Sequence, residues 1–356
     1  MESRLLPGAL VRFGVNNVID PSSGPSYSRG MRLGLSLVAA SFLIAGCEKA
    51  GPKASGKLSD DETSLLSRLP NQFGVAFGGN LPRLQTQLAK SPLMKYARAT
   101  ESIDTSQWQD CLADKQLKNM LGVVDVRSGF ELRFLMTGLD MDDLESCAKQ
   151  AKLTHQIDSD RKFITIDIKA EGLSTKLPYL VLDDGAIYGR YAIGIGAGFT
   201  PTFEEPSRAK MEGDIVAAKA DNATRNTRLL ATMEKADRQK GMWFAGSAEG
   251  TLIGDAVHEI YGSLDLEGGL EIDATVQAAT PKVADQVMAG VSQARDAGGL
   301  LGSDVKRVIE ALEVKRDGDR LRFTLKVSNK QLEAVFEKLG PMMGARANRR
   351  PRLELE

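Results

Sequence analysis

From Gly122 the chain alternates apolar and polar positions through GVVDVRSGFELRFLM. Starting at Gly262, GSLDLEGGLEIDATV repeats that alternation, with Gly, Asp, Gly and Glu at the same places. A period of two predicts strands, and the glycines between each pair of runs predict two copies of one β-hairpin. The period then lengthens to that of a helix. Leu144, Cys147, Ala148 and Ala151 share one face of a helix opening near Asp140, and Val283, Val287, Val291 and Ala294 share one face of a helix opening near Thr280. At constant offset Cys147 falls opposite Val287, which points its side chain into a core. DRKFITIDI from Asp160 and DRLRFTLKV from Asp319 each close a copy as a strand. FGVAFGG from Phe73 and MWFAGSA from Met242 supply an earlier strand to each. In the second copy DAGGLLGSD predicts a helix break and an extra helix. The expected fold is α+β: two related units, each a mainly antiparallel sheet with helices packed on one face.

Between the copies, YLVLDDGAIYGRYAIGIGAG combines an Asp-Gly turn with flanking apolar runs, so it should extend the first sheet. FTPTFEEPSRAKMEG reads as an exposed loop holding the unit boundary near Pro206. DNATRNTRLLATMEKAD reads as a helix capped by Asp221 or Asn222. The expected divisions are a first unit over 65–206, a second over 207–340, and a disordered basic tail over 341–356. That tail carries Arg346, Arg349, Arg350 and Arg352 and is read as a solvated end.

Upstream of the first unit the pattern changes. From Met31 the chain runs MRLGLSLVAASFLIAGC, with one Arg, then an uncharged apolar segment from Leu33 to Ile44, then small residues and Cys47. That segment is short for a membrane span of about 20 residues and suits the core of a signal peptide. Ile44, Ala45, Gly46 and Cys47 resemble the lipobox of bacterial lipoproteins, recognised by a dedicated signal peptidase. The resemblance implies cleavage before Cys47 and a diacylglycerol thioether on it, usually with an N-acyl chain. Several acyl chains anchor stably where one is marginal. Residues 1–46 then form an N-terminal extension and signal peptide. Either Met31 is the initiator or the signal has a long n-region. The following EKAGPKASGKLSDDETS is poor in apolar residues, so 47–64 reads as a flexible tether. By resemblance to lipoprotein sorting patterns, Glu48 lacks the Asp that retains such proteins in the inner membrane. That implies the cell outer membrane.

Composition narrows the chemistry. With 46 basic and 47 acidic residues the formal net charge is -1, which removes the electrostatic case for nucleic acid. Two histidines, His155 and His258, and three cysteines leave little material for zinc or His-based triads, so no metal or cofactor is expected. Outside the cytoplasm Cys111 and Cys147 are a candidate disulfide; two buried free thiols are the alternative. The remaining motifs have plain readings. GIGAG, Gly194 to Gly198, has the wrong spacing for a nucleotide loop. Asp140 to Asp143 read as helix capping rather than a calcium site. Asp183 and Asp184 form a hairpin turn. His258 with Glu259 lacks the second His of a zincin and reads as a partly buried His. Asn222 opens a glycosylation sequon by pattern only.

SPLMKYAR, the spaced Cys111 and Cys147, and the GVVDVRSGFEL hairpin resemble uncharacterised duplicated lipoproteins of myxobacteria and their relatives, over most of 65–340. That resemblance carries no catalytic or binding residues. The resulting expectation is a non-enzymatic lipoprotein of the cell envelope that binds or scaffolds. Its partners are the membrane, through the lipid anchor, and an envelope protein or ligand. Two contrasting readings are an envelope hydrolase using Asp183 and Asp184, which requires acids converging in a pocket, and a periplasmic lipid carrier, which requires an enclosed apolar cavity. The binding reading expects an apolar or mixed surface between the units.

Overall fold

The computed structural model describes residues 56–337, except 73, 93–110, 113, 126–128, 171–172, 196–200, 205, 248–255 and 299–302. Cys47 and its lipobox, the basic tail, and Gly196 to Gly198 therefore lie outside the described residues.

The described strands form one large antiparallel sheet, and helices pack on it, giving a mixed α+β fold. At its centre β1 (Val75–Asn80) pairs with β9 (Met242–Gly246). Each of these strands is followed outward by a hairpin, β2–β3 (Asn119–Asp125, Gly129–Met136) beside β1 and β10–β11 (Val257–Asp265, Gly269–Ala278) beside β9. The hairpins share a register. Val124 pairs with Leu132 and Asp125 with Glu131, and at the constant offset read from the sequence Leu264 pairs with Ile272 and Asp265 with Glu271.

Beyond the hairpins the halves differ. In the second half β13 (Arg320–Ser328) pairs directly with β11, and β12 (Glu313–Asp317) forms the edge. In the first half the order continues from β3 through β7 (Ile187–Ile195), β6 (Leu173–Val181) and β5 (Phe163–Ala170) to β4 (His155–Ile157). The Asp-Gly hairpin β6–β7 thus does not lengthen the sheet at its margin; it inserts between β3 and the closing strand β5. β6 follows β5 along its length but touches β7 only from Tyr179 to Val181. Pro178, which has no N–H to donate, stands where β6 and β7 part. Farther along, β8 (Pro201–Glu204) pairs with β7 in place of β6.

Helices occupy both faces of the first half, not one as expected. On one face α1 (Asp60–Leu66), α4 (Arg208–Ala220) and α5 (Thr227–Met233) bring Leu66, Met211 and Leu229 onto Leu121, Leu135, Tyr188 and Trp243. On the other, α2 (Leu81–Lys90) and α3 (Met141–Gln150) bring Leu84, Leu144 and Cys147 onto Ile164, Ile166, Tyr179 and Ile187. The cause is visible in the strands: Met120 packs into one core and Leu121 into the other, so apolar side chains leave both sides of the pleat. In the second half α6 (Pro281–Gly298), α7 (Ser303–Glu310) and α8 (329–337) cover the face bearing Leu321, Leu325 and Val327. The opposite face is polar on β11 and β13, with Arg322 Nη2 2.5 Å from Asp273 Oδ2 across the strands, whereas on β9 and β10 it is covered by α5, with Tyr261 buried.

Local signals held where chemistry is short-range. Asp140 caps α3: its Oδ1 accepts from Asp143 N at 2.8 Å, and Asp143 Oδ2 accepts in return from Asp140 N at 3.3 Å. Thr280 Oγ1 accepts from Val283 N at the start of α6, and the extra helix α7 follows the glycine-rich break. Four readings change. Residues 60–64, expected within a flexible tether over 47–64, belong to α1, with Ser59 as its cap. α4 begins inside the stretch expected to be loop, with Ser207 as its cap. α5 is capped by Asn226, while Asn222 caps only the short turn before it. Of the residues assigned to the inner face of α6, Val283, Val287 and Val291 are half-buried but Ala294 is exposed, and Ala284 is the fully buried one.

Candidate functional site

A cleft of about 410 Å³ opens at the end of the sheet where β1 finishes and β2 and β9 begin. Its floor is apolar, formed by Leu65 of α1, Met120 and Leu121 of β2, and Trp243 of β9. Its rim is polar, formed by Lys57, Asp61 and Asn119 together with Gln239 of the α5–β9 connection. The glycines of β1 shape the floor. A Cβ at Gly78 would fall 2.5 Å from Trp243 Cζ2, so only glycine lets the indole lie against the strand. A Cβ at Gly79 would fall 2.7 Å from the Gly241 carbonyl.

Arg238 organises the rim. Its side chain is only 4% exposed and makes an ion pair with Glu62, Nε to Oε1 at 2.8 Å. Nη1 donates to Met233 O at 2.7 Å, and Nη2 donates to the carbonyls of Gly56 and Lys57 at 3.0 and 2.8 Å. Glu62 is committed on its other oxygen too, accepting from Ser59 N and Oγ in the capping box of α1. Glu62 is thus bound into the rim. The cleft joins residues on both sides of the expected boundary, since α1, β1 and β2 precede it while Arg238, Gln239 and Trp243 follow.

A second tie between the halves lies beside this end. Asp265, at the tip of the β10–β11 hairpin, is nearly fully buried and lies 2.6 Å from Arg83 Nη2 and 3.4 Å from Lys240 Nζ. It also accepts from Gln87 of α2 and from Leu266 N. Arg83 reaches on to Glu267 at 3.0 Å.

A buried cluster of charge lies elsewhere, under α4. Arg133 and Arg190, on neighbouring strands β3 and β7, both contact Glu131, at 2.8 and 3.0 Å. Both also contact Asp214 of α4, at 3.1 and 3.0 Å. Two buried guanidiniums and two carboxylates form a closed ring, to which Tyr188 Oη donates at 3.0 Å through Asp214. Burial, followed by the Asp214 charge, pushes the Tyr188 hydroxyl far above the ordinary phenol range. With every carboxylate bridging cations, the ring is a clamp on α4 and offers no free base.

The residues singled out from sequence divide clearly. Cys111 and Cys147 form a disulfide, both nearly or fully buried. Asp183 and Asp184 occupy the β6–β7 turn with Gly185 in the left-handed region, φ +81°, and diverge: Asp183 pairs with Lys162 at 2.6 Å and Asp184 with Arg68. They do not converge on a pocket. His258 is exposed on β10 rather than partly buried, and its neighbour Glu259 turns to Lys235. His155 Nδ1 lies 3.0 Å from Leu153 O. Among the described residues no group of three or more His, Cys, Asp or Glu side chains could hold a metal ion, and no helix is long and apolar enough to cross a membrane. Sequence reading missed Arg238 and Trp243. The glycine pair Gly78-Gly79 was the available sign, since adjacent glycines within a strand mark a close approach by another group.

No protein-family model matches the chain, and no curated protein does. Among solved structures, crystal form I of TP0453 aligns over 77% of this chain and 96% of its own length, at 11% identity and a TM-score of 0.41.

Proposed function

We propose that this chain is a lipid-anchored protein of the cell envelope, held at Cys47 on the outer membrane, with a binding or scaffolding role and no catalysis. Its two halves are related units, and the cleft at their junction is where a partner or ligand sits. The observation that carries the binding reading is the composition of that cleft: an apolar floor with a mixed polar rim, drawn from both halves. The shared hairpin register at one constant sequence offset supports the relatedness. The buried Cys111–Cys147 disulfide supports an oxidising compartment and so agrees with export through the lipobox.

Anchoring is tested by intact mass and membrane partitioning in the native host. Wild type should begin at Cys47, carry acyl mass and fractionate with membranes, and Cys47→Ser should be released. A wild-type chain that is uncleaved and soluble refutes the anchoring. Binding is tested by placing a photo-crosslinking amino acid at Asn119 in intact envelopes, beside a control at Val216, which is 64% exposed on α4. A discrete adduct from Asn119 alone supports a cleft partner; identical patterns from both positions refute it.

A further inference from the structure

The lipid-anchoring reading fixes where the chain is attached but not which surface it presents to the membrane. The geometry around Arg238 decides that. Gly56 and Lys57, the first described residues, have their carbonyls held by Nη2 of a guanidinium that is itself buried and paired with Glu62. Gly56 and Lys57 are therefore held at a fixed point on the wall of the cleft, which Lys57 and Ser59 help to form. That point lies near the middle of the sheet's width, because Trp243 and Gly79 beside it belong to β9 and β1, the central pair.

Cys47 lies nine positions before Gly56, with eight residues between them. Fully extended, that stretch spans at most about 30 Å. β10, one strand away, has nine residues and is about 30 Å long. Cys47 can therefore lie no farther from Gly56 than about the length of one strand. A lipid on Cys47 is then within easier reach of the strand ends that carry the cleft than of the opposite ends.

We infer that the strand ends carrying the cleft, with Lys57, Asn80, Asn119 and Gln239, face the lipid surface, while the ends at Gly74 and His258 point away from it. This rests on the lipid anchoring at Cys47 proposed above. A partner in the cleft then approaches from the bilayer side.

The test uses the full-length protein purified from its native host with its processing intact. It is reconstituted into phosphatidylcholine–phosphatidylglycerol vesicles containing a headgroup spin-labelled lipid. A fluorophore is placed at Gln239→Cys or at His258→Cys; both positions are exposed. Quenching at 239 should exceed that at 258 by about twofold or more, and inserting about ten Gly and Ser residues between Gly51 and Pro52 should shrink the difference as the tether lengthens. Protein that floats with the vesicles but is quenched equally at both positions, or more at 258, overturns the orientation and leaves the anchoring intact. Protein that does not float refutes the anchoring, and the orientation falls with it.

Discussion

Phe77 and Phe244 are paired directly across the central strands β1 and β9, and each ring covers a glycine on the next strand out, Gly122 for Phe77 and Gly262 for Phe244. The row continues outward through Phe134 over Gly189 on one side and through Ala274 to Phe323 on the other. Along this line across the sheet each of Phe77, Phe244 and Phe134 lies beside a glycine on the next strand. The glycines are there for space: a Cβ at Gly189 would fall 2.2 Å from Phe134 Cζ.

Gly189→Ala should therefore lower stability by about 1–3 kcal/mol through overpacking. The three nearest atoms to such a Cβ are all in the Phe134 ring, so Phe134→Ala should relieve the clash. Urea unfolding of both single variants and the double variant measures this. The double variant should lose less than the sum of the singles, and strict additivity would contradict the ring-over-glycine account.

The disulfide joins residues 36 apart and ties α3 to the chain just before β2. By loop-closure entropy it stabilises by about 3–4 kcal/mol. Cys111→Ser with Cys147→Ser should lower the unfolding free energy by that amount, read as a lower urea midpoint. Wild type in reductant strong enough to open a buried bond should move to the same midpoint.

Asp214 neutralises two guanidiniums that are 7% and 5% exposed. Asp214→Asn leaves both arginines sharing Glu131, and the expected loss is about 3–5 kcal/mol. Asp142, whose side chain is 83% exposed, is the control; Asp142→Asn should change stability by less than about 0.5 kcal/mol despite its contact with Arg161. Equal effects in urea unfolding would show the ring under α4 to be as dispensable as a surface pair.

Two surface carboxylates tie neighbouring elements together and should set an acid response. Hydrogen bonds from Lys149 and Arg161 hold Glu145 down from 4.5 to about 2, and Arg208 holds Asp160 down from 3.8 to about 2. A depressed carboxyl contributes its stabilisation above the unfolded value and loses it as pH falls through the folded one. The links from α3 and α4 to the loop before β5 should weaken between about pH 4.5 and 2. Amide protection factors in α4, taken relative to the intrinsic exchange rate at each pH, should fall across that window. Arg208→Gln should return the Asp160 midpoint, followed by carboxyl NMR, toward 3.8; an unmoved midpoint would exclude Arg208 as the cause.

The sequence by itself determined what short-range chemistry determines. Alternation located β2, β3, β10 and β11, the capping aspartate opened α3, and the Asp-Gly pair turned β6 into β7. The helical period placed Cys147 on an inner face, where it meets Cys111. Each of these depends on residues a few positions apart, so it survives reading without coordinates. α4 was hidden for a related reason: only Met211 and Ala218 are buried along it, and it is held by Arg208 and Asp214, residues that otherwise mark a loop.

Only the tertiary structure decided that β6 and β7 sit between β3 and β5, that helices cover both faces of the first half, and that Arg238 pins the incoming chain beside Trp243. Strand order is set by hydrogen bonds between backbone groups far apart in sequence, which every residue but proline can make. The choice of face depends on which distant helix arrives to cover it. Neither leaves a period in the chain, and so the cleft had to be seen in the fold.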